Sequence, residues 1–336
     1  MKKSLIALAV LGGFTGMAVA QSTVTLFGIV DLNGRYVKND GGGNRKTLSQ
    51  DGLNSSRFGV RGVEDLGGGL RAGFHLEAGV NPDVGTANAK FWGRRSTVSL
   101  LGGFGEVRLG RDYTPTFLNH SAFDPFGTNG IGDTSNVARF RATGLTWVRS
   151  DNSIGYFLPP NIGGVYGQAM VAAGEGGPGK FYGGRVGFAG GPFNVSVALS
   201  QEHIVPGGAT KLKIASVGGS WNFGFLTAMA FFAQEKLDAV ADDKERRWML
   251  GASVPLGQGE IRGSFTRSDH TTAPTGNDAD QIALGYIYNL SKRTALYATG
   301  SRINNKGTQA FVIAGGPALT PGGKSLGFEG GIRHSF

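Results

Sequence analysis

The sequence predicts an all-β chain: a closed antiparallel barrel of sixteen strands that crosses a membrane. Three observations predict it: an export signal at the N-terminus, about sixteen segments in which apolar and polar residues alternate, and a glycine-dense composition with no long apolar run in the exported part.

Residues 1–20 open with Lys2-Lys3, continue through an apolar stretch from Leu5 to Val10 and beyond, and close on the small residues Ala18-Val19-Ala20. That is the layout of a cleaved signal peptide. Gly12, Gly13 and Gly16 interrupt a stretch already too short to span a bilayer comfortably as a helix. Residues 21–336 are therefore read as the exported barrel. Of 33 Lys and Arg, Lys2 and Lys3 leave with the signal, so 31 bases face 24 acids and the mature charge is +7. There is no cysteine, which excludes a disulfide scaffold or a zinc-thiolate site.

Glycine supplies 59 of 336 residues, far above the usual share of roughly 7%. Long helices tolerate this poorly, because each interior glycine costs about 0.8–1 kcal/mol relative to alanine. Mean hydropathy is −0.09, yet a barrel hides its apolar wall from such averages by alternating it with polar positions.

The alternation is clearest in 193–200, where Phe193, Val195, Val197 and Leu199 share one face and Asn194, Ser196, Ala198 and Ser200 the other. Segments 247–256 and 281–289 repeat it. The predicted strands are 22–35, 55–65, 69–80, 90–101, 104–111, 149–158, 164–174, 180–190, 192–203, 211–223, 225–237, 245–256, 258–269, 280–290, 293–304 and 324–336. Most match the roughly 9–11 residues that a tilted membrane strand needs, with some overhang.

Turn-sized links such as 65–69, 102–103, 190–192, 223–224, 257–259 and 291–293 alternate with longer polar ones such as 36–54, 81–89, 204–210, 238–244, 270–279 and 305–323. Short periplasmic turns and long external loops give the barrel its direction. The longest link, 112–148, holds Asp112, Asp124, Asp133, Arg139 and Arg141 among prolines and aromatics. A link of that length is disordered or functional, and its aromatic content argues against disorder. At the C-terminus, Leu326, Phe328, Ile332 and Phe336 share one parity, placing a terminal aromatic on the lipid face.

These stretches resemble the Gram-negative general porins, betaproteobacterial branch, and are similar to its anion-selective members. The resemblance rests on Ser22–Asp31, Ser56–Ala72 with its Glu64-Asp-Leu-Gly-Gly-Gly69 turn, Gly103–Asp112, Leu290–Tyr297 and the Phe336 ending. It implies a passive channel in the outer membrane, a homotrimer, a loop 112–148 folded inward as a constriction, and a final strand with Phe336 read by the barrel-assembly machinery. Outer-membrane lipids and lipopolysaccharide would surround it, and small anions and hydrophilic solutes would pass; no cofactor and no nucleic-acid partner are expected.

Selectivity in such a pore needs only charges held where the water column is narrow. Counting parity from the apolar face directs nine arginines inward, Arg35, Arg57, Arg61, Arg71, Arg108, Arg185, Arg247, Arg262 and Arg333. The same rule directs inward the five acids Asp31, Glu77, Glu106, Glu260 and Glu329. Arg57, Arg61, Arg71 and Arg108 form the expected cationic ladder, with Arg35 beside it; of Arg94 and Arg95, parity turns only Arg95 inward. Asp124 and Asp133 either supply an opposing field from the loop or cap its turns. A channel that binds small carboxylates or phosphate is the alternative. The five histidines show no metal-ligand spacing, so no enzyme is expected.

Overall fold

The computed structural model of the protein describes residues 23–138, 147–176, 179–205, 210–238, 243–271 and 276–336. The expected signal peptide, Arg139 and Arg141 lie outside the described residues.

Sixteen barrel strands follow one another around a single closed sheet. They are β1 (Thr23–Asn39), β2 in two segments (Gly43–Gln50 and Arg57–Gly67), β3 (Leu70–Asn81), β4 (Arg95–Gly102), β5 (Gly105–Tyr113), β6 (Arg149–Phe157), β7 (Val165–Ala172) and β8 (Lys180–Gly190). The second half is β9 (Phe193–His203), β10 (Lys211–Asn222), β11 (Thr227–Leu237), β12 (Asp243–Leu256), β13 (Gly259–His270), β14 (Asp278–Asn289), β15 (Thr294–Asn305) and β16 (Lys324–Ser335). Every neighbour pair is antiparallel, and β16 closes on β1 from Ile29 opposite Ser335 to Asn39 opposite Ser325. Among the described residues, each of the sixteen barrel strands thus has a neighbour on both sides.

The two faces invert the arrangement of a water-soluble protein. Val24, Leu26, Leu199, Leu250 and Leu284 are more than half exposed, while Ser196, Ser264, Thr266, Gln281 and Glu329 on the opposite parity are buried. Such a wall is stable only against hydrocarbon. At the short-turn end, the rings of Phe188, Phe193, Trp221, Phe223 and Phe225 follow one another at centroid spacings of 5.4, 6.0, 6.1 and 6.2 Å. They form part of an interfacial aromatic girdle. Between β2 and β3 the chain reverses through Gly67, Gly68 and Gly69 at φ of 83, 61 and 81°. Three successive left-handed residues require glycine, which explains the Gly-Gly-Gly run.

Two links differ from expectation. The expected loop 36–54 is mostly a tall hairpin: β1 runs on to Asn39, turns over 40–42, and returns as Gly43–Gln50 in register with Leu32–Asn39. The real break is 51–56, after which Arg57–Gly67 resumes pairing with the lower half of β1. The polar-looking link 306–323 buries Phe311 and Ile313 in a cluster with Val37, Ile131, Val137, Ala279 and Ile303. It therefore packs into the mouth of the barrel.

Candidate functional site

The segment between β5 and β6 turns into the lumen because its start is capped and its polar atoms find partners across the barrel. Helix α1 (Pro115–Phe123) begins with Thr114 as N-cap, whose hydroxyl accepts from the Phe117 N–H at 3.2 Å, and with proline in the first turn. On the far wall Asn119 donates to Ser216 Oγ at 2.9 Å and accepts from Ser196 Oγ. Phe123 packs with Phe231, Ala233 and Met249. Further along, Gln281 Nε2 donates to the carbonyls of Gly132 and Asp133 at 3.2 and 3.0 Å, and the Ile131 N–H donates to Glu329 Oε1 at 3.1 Å.

Asp124 and Asp133 both cap turns of this loop. Asp124 accepts from the backbone N–H of Phe126, Thr128 and Thr134. Asp133 precedes the 3₁₀ turn Thr134–Val137 and accepts from the Ser135 N–H at 2.8 Å. Burial, and after it the neighbouring Asp133, push the Asp124 carboxyl up to about 6.

Facing the loop, Arg57, Arg94 and Arg149 gather around Glu77 and Tyr113. Arg94 Nε donates to Glu77 Oε1 at 2.6 Å and Arg57 Nη1 reaches the same oxygen at 3.4 Å. Arg94 and Arg149 both donate to the Tyr113 phenol oxygen, at 3.0 and 2.6 Å, and Arg149 Nε donates to the Arg94 carbonyl at 2.7 Å. Two guanidiniums thus share the Glu77 carboxylate, and the third, Arg149, is joined to them through Tyr113 and the Arg94 carbonyl. They border a cavity of about 360 Å³ that is closed on the loop side by Thr128, Asn129 and Asp133.

A profile of the Gram-negative porin family matches residues 7–308. The chain belongs to the Gram-negative porin family. It is 42% identical to outer membrane porin protein 32 of Delftia acidovorans, and 30% identical to an outer membrane porin protein of Bordetella pertussis. Both alignments cover the whole of both chains. Its fold superposes on an anion-selective porin from Comamonas acidovorans with a TM-score of 0.86 at 39% identity, covering 94% of this chain and 100% of that one. OmpT of Vibrio cholerae, at 14% identity and a TM-score of 0.71 over 94% of this chain and 99% of that one, shares the fold. The protein is an outer-membrane porin.

The porin lumen does not gather the expected ladder at one level. Arg57 lies opposite Gly79, Arg61 opposite His75, and Arg71 opposite Asp65. At about 3.4 Å per residue each step is roughly 13 Å along the strand, so only Arg57 stands at the loop. Arg61 sits over the Phe27 ring at 5.2 Å, and Arg71 is exposed near the turn. Arg108 is paired with Glu106 at 2.9 Å and with Asp112, which Arg95 also approaches at 3.8 Å, leaving that group balanced. Arg35 is buried and held by Glu329 at 2.9 Å. Phe336 pairs its backbone with Gly28 at 3.1 Å in both directions. Arg94 escapes the parity rule because it precedes β4 by one residue. Arg149 has the lumen parity counted from Ile154 and Tyr156, but it is the first residue of β6, where the end of the long link and the start of the strand look alike in sequence.

Proposed function

We propose that this porin is a passive, water-filled channel that favours small anions over cations, with loop 112–148 as its constriction. The observation that carries the reading is the excess of guanidinium over carboxylate beside the loop, where Arg57 and Arg94 share Glu77, Arg149 joins them through Tyr113, and Asp133 is the acid on the facing side of the cavity. Arginine keeps its charge at every relevant pH, and the low-dielectric wall focuses its field into the water column. Similarity to an anion-selective porin supports the same sign. Arg61 and Arg71 extend a weaker positive track toward the turns, whereas Arg35 and Arg108 have their charge matched by partners.

Three copies assemble in this reading, as OmpT does in its trimer form. Lipopolysaccharide and other outer-membrane lipids cover the apolar belt, and the assembly machinery receives the strand ending in Phe336. The arginine-lined cavity also supports a saturable site for small carboxylates or phosphate.

The test is a planar bilayer under a potassium chloride gradient. The wild-type reversal potential should lie on the chloride side, and Arg57→Gln, Arg94→Gln and Arg149→Gln combined should move it toward zero; a reversal potential that ignores all three removes these residues from selectivity. Currents that saturate with a carboxylate salt but not with chloride would favour the binding site.

A further inference from the structure

We infer that Asp31 is a positioning residue for selectivity: with Tyr297 it fixes the 51–56 break in β2, and through that break it aims Arg57 and seats the tip of the inward loop. The inference rests on the reading of Arg57 as a selectivity residue.

Asp31 lies on β1 and is fully buried. Its Oδ2 accepts from the N–H groups of Leu53 and Asn54 at 2.9 and 2.7 Å, and its Oδ1 accepts from the Gly52 N–H at 3.3 Å and from the Tyr297 phenol. Three successive backbone donors converging on one carboxylate form an anion nest, here filled by a side chain of the same barrel. The segment is tied a second time through Ser56, whose hydroxyl accepts from the Asp31 N–H at 3.1 Å and donates to the Asp31 carbonyl at 3.2 Å. Its first residue, Asp51, adopts a φ of 63° and accepts from the Ser56 N–H at 2.6 Å. A stretch that has left the strand ladder exposes backbone donors, and these bonds satisfy them inside the wall.

What this segment holds is the site. The Ser55 carbonyl accepts from Arg57 Nε at 2.8 Å, fixing the guanidinium from behind. Ser55 Oγ donates to Asn129 of the loop at 2.8 Å. Loop residue Gly130 lies so near that a Cβ there would stand 2.3 Å from the Gly52 carbonyl oxygen. One buried carboxylate therefore sets the position of the wall cation and of the loop facing it.

Two roles for Asp31 differ in sign. If its negative charge acted directly on passing ions, removing it would strengthen anion preference; if it positions Arg57, removing it weakens that preference. The experiment reconstitutes the full-length porin, Asp31→Asn, Arg57→Gln and the double variant in planar bilayers under a potassium chloride gradient. Folding is checked by heat-modifiable migration in gels. Asp31→Asn should lower the chloride-to-potassium permeability ratio about twofold, and should add nothing in the Arg57→Gln background, as coupled residues do. Tyr297→Phe should move the ratio the same way by less. A ratio that rises or stays at the wild-type value in Asp31→Asn, or effects that add fully in the double variant, overturn the inference. If Arg57→Gln itself leaves the ratio unchanged, the underlying selectivity reading fails and the inference with it. Should Asp31→Asn not fold, Tyr297→Phe and Ser56→Ala, each removing only local hydrogen bonds, carry the same cycle with the same expected sign.

Discussion

Tyr113 holds Arg149 in two ways, accepting from its Nη2 at 2.6 Å and lying under the guanidinium with the ring centroid 4.2 Å from Cζ. The phenol oxygen also accepts from Arg94. Tyr113→Phe keeps the ring contact and deletes both hydrogen bonds, each worth about 1.5–3 kcal/mol with a charged donor. The expected outcome is an intact barrel with a reduced chloride preference, read as a smaller reversal potential. Arg149→Lys should reduce it similarly, because an ammonium cannot both stack on the ring and donate in a planar fork.

The ion pair between Arg35 and Glu329 is enclosed by the wall and by two loops: Arg35 also donates to the Ala314 carbonyl at 3.1 Å, and Glu329 receives Ile131. Arg35→Met leaves the carboxylate buried without its cation, an error that costs about 3–5 kcal/mol. The measurable result is a lower temperature for loss of the compact gel form, with noisier single-channel currents as the loops around Ile131 and Ala314 loosen. Replacing both partners by Met and Gln should recover part of the loss.

The raised carboxyl of Asp124 gives the loop a pH dependence with a definite sign. The folded loop holds this proton up to about pH 6, against an ordinary 3.8. The stabilisation it contributes is therefore complete below about 3.8 and is lost as pH rises through about 6. Amide exchange at Phe126, Thr128 and Thr134, corrected for intrinsic rates, should be slower at pH 5 than at pH 7.5. Asp124→Asn should flatten that difference, and an unchanged difference in the variant would assign it elsewhere.

Gly28 carries no side chain because the Phe336 ring occupies the place of one: a Cβ there would stand 2.3 Å from Phe336 Cζ. Gly28→Val should lower the yield of folded barrel in detergent refolding, and Gly28→Val with Phe336→Ala should recover part of it by clearing the clash. A normal yield for Gly28→Val alone would show that the terminal ring can be displaced without cost.

The wall of the barrel was legible residue by residue, because a strand between lipid and water imposes a period of two that Phe193–Ser200 displays without interruption. Lumen parity was equally legible and put Arg57 and Arg35 on the correct face. It could not say what they meet there. Arg35 is matched by Glu329, 294 positions away, and no local pattern encodes that. Arg94 was hidden one residue before a strand start, where the alternation has not begun, and Arg149 at the first residue of β6, where link and strand are not told apart by local pattern. The apolar residues Phe311 and Ile313 sit among glycine and proline, so their stretch reads as an ordinary external loop, although tertiary packing draws it into the mouth.

The seam between β1 and β16 joins strands some three hundred positions apart, with Gly28 bonded to Phe336. Because β1 pairs with β16, the cylinder cannot close until all sixteen strands are present, and until then both borders of the sheet stay open. Pairings this distant along the chain form slowly, and the waiting sheet would offer sticky edges to its neighbours.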